Sequence, residues 1–205
     1  MKDLKITYDD IAEEWSKSKP DEWMRNGIDK FLSYLKPGSS VLDVGCGSGD
    51  KSRYIQSKGM NVTGIDFSTK MIEIAKREVP NAHFEVLDIN DLDKYNQKFD
   101  AIFARAVLLH FPKTQLSQVL KMLVDHLNNE HGYMYIAVKM QKESEEGEEI
   151  VKEFDYGQNI ERFFSYFTLE ELKKYVADLN LQLCFEDVVQ VKSGTRKWIQ
   201  LIVRK

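Results

Sequence analysis

The chain has 205 residues, 42% hydrophobic and 30% charged, with a formal net charge of −4 at pH 7. Such a composition predicts one globular domain with a real core, holds no apolar run near the roughly 18 residues of a membrane span, and argues against wholesale phosphate-backbone binding, which needs a basic face. The start, Met-Lys-Asp-Leu-Lys, lacks the apolar stretch of a secretory leader, and the two distant cysteines, Cys46 and Cys184, predict packing residues in a reducing cytoplasm.

Residues 1–36 read as helices ahead of the first strand, with Ile28, Phe31, Leu32 and Leu35 on one apolar face. Val41, Leu42 and Val44 then predict a strand that runs into Gly45-Cys-Gly-Ser-Gly-Asp50, where Gly45, Gly47 and Gly49 free the backbone to approach a ligand. A dinucleotide loop would need glycine where Asp50 stands, and a P-loop fails because Asp50 separates Gly49 from Lys51-Ser52. Asp43 and Asp50 bracket the loop with negative charge, which repels a pyrophosphate but suits a cofactor bearing an ammonium and a second positive centre. That describes S-adenosylmethionine. Taken alone, the loop also reads as a structural glycine turn.

A short helix over Asp50–Lys58, closed by Gly59, leads to a second strand, Met60–Ile65, ending at Asp66. Asp66 lies 21 residues beyond Gly45, where a ribose-binding acid belongs, although a helix N-terminal acid would stand there too. Ser68 predicts a cap for a helix reaching about Arg77, and His83–Leu87 a third strand ending at Asp88-Ile89. Asp88 could accept from an adenine amino group or simply open a loop. A fourth strand over Phe99–Ala104 is followed by Arg105 and His110; Thr114 predicts the cap of a helix to about Leu127, and Gly132–Val138 a fifth strand with Lys139 at its carboxyl end.

Residues 141–165 interrupt the alternation. Their acidic first half predicts a solvated, mobile loop near the carboxyl edge of the sheet, and Arg162-Phe-Phe-Ser-Tyr166 is basic and aromatic enough to line a pocket. Thr168 with Glu171 announces a capped helix to about Leu179. The last two strands, Leu181–Val191 and Lys197–Val203, are joined across Ser193-Gly194 by a connection too short for a parallel pair. The pattern is α/β: a doubly wound, mostly parallel sheet.

The combination of Asp43-Val-Gly-Cys-Gly-Ser-Gly49, Gly64-Ile-Asp66-Phe-Ser68 with Met71, Leu87-Asp88-Ile89 and Phe99–Ala104 leading to Leu109-His110-Phe111 resembles the class I S-adenosylmethionine-dependent methyltransferases, over about residues 8–203. The resemblance implies a seven-stranded Rossmann-like sheet with one antiparallel strand near its C-terminal edge. It implies one domain over residues 1–205, with 1–36 as an N-terminal helical lid segment and 141–165 as an insertion near the substrate mouth. Tyr8 and Trp15 would fold over the cofactor. Gly45 and Ala104 would hold its methionine part through backbone groups, Asp66 the ribose hydroxyls, Phe67 and Met71 the faces of the adenine, and Asp88 with the Ile89 backbone its edge. Asp43, Cys46, Gly47, Gly49 and Arg105 complete the cofactor set.

Methyl transfer from a sulfonium is an in-line displacement that mainly requires orientation of the acceptor, so neither a nucleophilic triad nor a metal is expected. His110, just beyond strand four, is the candidate base. Lys139, Arg162 and Arg105 could meet an acceptor carboxylate, with Tyr166 beside them. Nucleobase-amine methyltransferases carry an Asp/Asn-Pro-Pro-aromatic string after strand four, where this chain has Ala104-Arg-Ala-Val107. The expected partner is therefore a small-molecule acceptor, not nucleic acid or membrane. A cofactor-binding regulatory module without turnover and a protein or peptide methyltransferase are the alternative readings, and a nicotinamide oxidoreductase is disfavoured by the glycine spacing.

Overall fold

Strands that are apolar on both faces need cover on both sides, and the segments between them supply it. The computed structural model describes residues 4–17, 25–129, 131–190 and 196–205. Six α-helices are described, α1 (Leu4–Ser16), α2 (Arg25–Leu32), α3 (Asp50–Ser57), α4 (Thr69–Glu78), α5 (Lys113–Asp125) and α6 (Leu169–Asp178). The strands are β1 (Ser40–Val44), β2 (Asn61–Asp66), β3 (His83–Val86), β4 (Ala101–Arg105), β5 (Tyr133–Lys139), β6 (Glu148–Asp155), β7 (Gln158–Ser165), β8 (Gln182–Gln190) and β9 (Lys197–Arg204). Seven of them form one sheet in the order β3-β2-β1-β4-β5-β9-β8, in which β9 runs antiparallel to β5 and β8 on either side of it. The Ser193-Gly194 connection and part of the N-terminal lid segment, 18–24, lie outside the described residues.

Alternation along the strands divides the core. Leu42, Val44, Ile102, Ala104, Met134, Ile136 and Val138 face Leu116, Leu120 and Leu123 of α5 and Leu172 of α6. Val41, Ala101, Phe103, Tyr135 and Ala137 face Ile28 and Phe31 of α2 and Ile55 of α3. His126 is buried and ties α5 to the loop before β4 through the carbonyls of Met122 and Tyr95. Ser68 caps α4 and Thr168 caps α6, as their side chains predict.

Two expectations give way. Helix α5 begins at Lys113 behind Pro112 with no local side-chain cap, so Thr114 is not its cap; the Lys113 N–H instead donates to the Glu148 carboxylate at 2.6 Å. Glu148 belongs to the segment expected to be a loose acidic loop, and residues 148–165 are in fact the hairpin β6-β7. Tyr156 and Gly157, at φ +52° and +77°, make its two-residue turn. Several acids of the segment are engaged within the molecule: Glu145 pairs with Arg196, Glu149 accepts from the Tyr166 hydroxyl, and Glu153 binds Arg162.

Candidate active site

The strand order reverses between β1 and β4, and beyond their carboxyl ends a cleft opens, the place where parallel sheets bind ligands. Its two compartments, about 90 and 250 Å³, share Gly45, Asp66, Phe67, Val107 and His110 as walls. The smaller is lined also by Tyr8, Trp15, Asp43, Cys46, Gly47, Asp50, Met71 and Arg105, the larger by Lys5, Asp88, Ile89 and Gln115.

The glycine loop is bent by positive φ at Gly45, Gly47 and Gly49 and pinned by the Gly45 and Cys46 N–H groups donating to the Ile65 carbonyl at 2.8 and 3.0 Å. Asp66 ties that loop to the next turn, one oxygen accepting from the Gly47 N–H at 3.0 Å and the other from the Ser68 N–H at 2.8 Å. Burial raises its carboxyl to about 6 against those hydrogen bonds. Asp43 is buried beneath the loop, accepts from Ser52 Oγ at 2.5 Å and is pushed up by burial to about 7.

Helix α1 closes the cleft because its apolar face, Ile11 and Ala12, packs on Met71 and Ile74 of α4 and Ile160 of β7. Asp9 fastens it by accepting from Ser68 Oγ at 2.6 Å and the Lys70 N–H at 3.1 Å. This delivers Tyr8 against Phe67, Trp15 and His110, with the hydroxyl 2.9 Å from His110 Nε2. The other imidazole nitrogen is 2.9 Å from the Phe163 carbonyl, which can only accept, so Nδ1 carries the proton and Nε2 accepts from Tyr8. Burial, reinforced by the charges of Arg162 and Lys139, holds His110 down near 3, so it is neutral.

The expected residues divide. Tyr8, Trp15, Asp43, Cys46, Gly47, Met71 and Arg105 line the smaller compartment, Asp88 and Ile89 the larger, and Gly45, Asp66, Phe67 and His110 both. Met71 thus lines a different compartment from Asp88 and Ile89, and Phe67 lines both. Ala104 is fully buried in the core, and Ala106, at φ +58°, and Val107 make the wall in its place. Gly49 faces Ala75, Phe84 and Val79, so it serves packing, not lining. Arg162 and Tyr166 are buried at the hairpin, the first on Glu153 and the second under Arg196, whose guanidinium lies 3.8 Å from the ring. Val107, Lys5 and Gln115 escape sequence reading because no type or spacing marks them; the fold alone brings them to the rim.

A family model described as a methyltransferase domain matches residues 17–184. The chain belongs to this methyltransferase family. It is 34% identical over 119 residues to the ubiquinone biosynthesis O-methyltransferase of Coxiella burnetii, covering 53% of this chain and 50% of that one. It is 33% identical over 104 residues to the demethylmenaquinone methyltransferase of Thermotoga maritima, covering 46% and 44%. The chain thus spans about half the length of these curated relatives or less. Among solved structures, a methyltransferase from Methanosarcina mazei superposes with a TM-score of 0.75 at 23% identity, covering 86% of this chain and 96% of that one. The Burkholderia thailandensis 1,6-didemethyltoxoflavin-N1-methyltransferase, solved with its substrate and S-adenosylhomocysteine, gives 0.74 at 20%, covering 98% and 84%. At these identities the two structures attest the shared fold.

Proposed function

We propose that this methyltransferase-family protein binds S-adenosylmethionine in the cleft and transfers its methyl group to a small-molecule acceptor. The observation that carries the reading is Asp66, a half-buried carboxylate on the lining of both compartments and tied to the glycine loop. A vicinal diol would donate to it twice, each charged hydrogen bond contributing about 1.5 to 3 kcal/mol. The cradle fits the cofactor as well: a side chain at Gly47 would meet only the Trp15 indole nitrogen, at 3.7 Å, so that face of the loop is open. When bound, the cofactor supplies a methyl group on a positively charged sulfur, and the Asp66 carboxylate on that lining offers the matching sign.

In this reading Phe67 covers the adenine, Asp88 and Ile89 take its edge, and α1 is a lid with Tyr8 and Trp15 on its inner side. The hairpin is the second wall, supporting His110 through the Phe163 carbonyl. His110, held neutral with its lone pair on Tyr8, positions the lid and is no reservoir for a proton. Small-molecule acceptors named for the relatives, and the acidic composition, support the substrate class; the free thiols of Cys46 and Cys184 suit a cytoplasmic setting. No described helix is long and apolar enough to cross a membrane.

Thermal denaturation with S-adenosylmethionine, S-adenosylhomocysteine and NAD tests this. A ligand at 100 times its Kd adds about 2.7 kcal/mol, roughly 5 to 11 °C for a chain of this size. The two sulfur ligands should shift the midpoint and Asp66→Ala should remove the shift; a response to NAD alone would overturn the proposal.

A further inference from the structure

Cations gather where β4 and β5 end: Arg105, Lys139, Arg162 and Arg196. Arg162 is answered by Glu153, with Nε at 3.1 Å, and Arg196 by Glu145 at 2.5 and 2.6 Å. Lys139 makes no ion pair or hydrogen bond through its ammonium among the described residues. Its nitrogen rests instead 3.6 Å from the centre of the Phe164 ring. The two carboxylates that favour its charge, Glu153 and Glu149, are engaged elsewhere, by Arg162 and by the Tyr166 hydroxyl at 2.6 Å.

A half-buried cation without a counterion is costly, and a ring face offsets only about 0.5 to 2 kcal/mol of that. Burial, with the neighbouring charges of Arg162 and Arg196, brings the Lys139 ammonium down to about 8. Its position says what could complete it. Strand alternation puts Lys139 on the same face as Tyr135 and Ala137, the face to which Phe103 and Arg105 of the cleft also belong. The Phe164 ring that carries the ammonium also packs on His110, with ring centres 5.0 Å apart, and His110 lines the cleft.

We infer that Lys139 anchors an oxyanion of the methyl acceptor, so that the acceptor is a small carboxylic acid or an acidic hydroxyl compound bound in its ionised form. The inference rests on the methyltransferase reading and names its substrate class. An oxyanion at Lys139 supplies the counterion that β6 withholds, because the carboxylates of Glu149 and Glu153 are already committed.

The test uses the full chain with its lysines 13C-dimethylated for NMR, the Lys139 resonance being the one missing from Lys139→Gln. Acetate and benzoate are titrated against acetamide and benzamide; 4-nitrophenol, whose anion absorbs differently from the neutral form, distinguishes an acidic hydroxyl from a carboxylate. At least one acid should shift the Lys139 resonance saturably and raise its titration midpoint by about one pH unit. The amides should do neither, Lys139→Gln should weaken the acid's binding about tenfold, and Lys139→Arg should restore most of it. Lys139→Met should melt no lower than wild type, since it removes a charge without breaking a pair. The inference is overturned if no acid moves the Lys139 resonance up to its solubility limit, if an amide moves it equally, or if Lys139→Met is destabilised. The midpoint shift by S-adenosylhomocysteine in the same samples reports separately on cofactor binding, so loss of the anion site alone leaves the methyltransferase reading standing.

Discussion

Gly45 and Gly47 both sit at positive φ, +66° and +53°, yet they should fail differently when given a methyl group. A side chain at Gly45 would lie 2.9 Å from Val107 Cγ2, whereas at Gly47 its nearest neighbour is 3.7 Å away. Gly45→Ala therefore meets both backbone strain and overpacking, about 2 to 5 kcal/mol together, and should lower the urea midpoint. Gly47→Ala bears only the backbone term, about 1 to 2 kcal/mol, and should fold while losing S-adenosylhomocysteine affinity in calorimetry, because it fills the open face of the loop. Asp43 makes the opposite trade. Its carboxyl is held near 7 in the folded protein, so between about pH 4 and 7 the native state keeps a proton that the unfolded chain gives up, and stability falls as pH rises through that window. Asp66, near 6, adds to the fall, while His110, near 3, works against it below about 6.5, where the unfolded chain gains a proton. Asp43→Asn should thus stabilise the ligand-free protein at pH 8, by up to about 4 kcal/mol, and flatten its pH dependence; an unchanged profile would show that Asp43 is not the source.

At the level of elements, the helix ends show what a sequence discloses. Thr168 accepts from the Glu171 N–H at 3.1 Å while Glu171 reaches back to the Thr168 N–H at 3.4 Å, a cap written in four consecutive residues and therefore readable. Thr168→Ala should cost about 1 kcal/mol in chemical denaturation. Glu171→Ala should cost more, since Glu171 also binds Lys113 of α5 at 2.8 Å. The entry of α5 was not readable, because its cap is Glu148, 35 residues ahead in the chain. The hairpin hides for a related reason: acidic charge predicts solvation only where no partner is known, and Arg196 lies 51 residues from Glu145 while Arg162 and Tyr166 reach Glu153 and Glu149 only once the hairpin has paired. One local signal existed, the Tyr156-Gly157 pair between alternating apolar residues. The parallel strands were legible almost to the residue, since both-sided apolar strands ending in small or acidic residues leave little freedom.

Across the whole molecule, the site is assembled from pieces far apart in sequence: α1, the glycine loop, the turn after β4 and the hairpin. Those with backbone requirements, Gly45, Gly47 and Asp66, could be named from the sequence, whereas the junction of Tyr8 with His110 and the Phe163 carbonyl exists only once α1 has docked. Tyr8→Phe should keep the ring contacts and lose the link to His110, giving faster amide exchange in α1 without change in the core. The sheet order has a further consequence for synthesis. Strand β9 lies between β5 and β8 although β8 is made first, so the emerging chain carries β5 with one hydrogen-bonding edge bare until residues 197–204 leave the ribosome. During that interval Met134, Ile136 and Val138 sit beside an open strand edge, and the nascent protein is exposed to edge-to-edge association until β9 has paired.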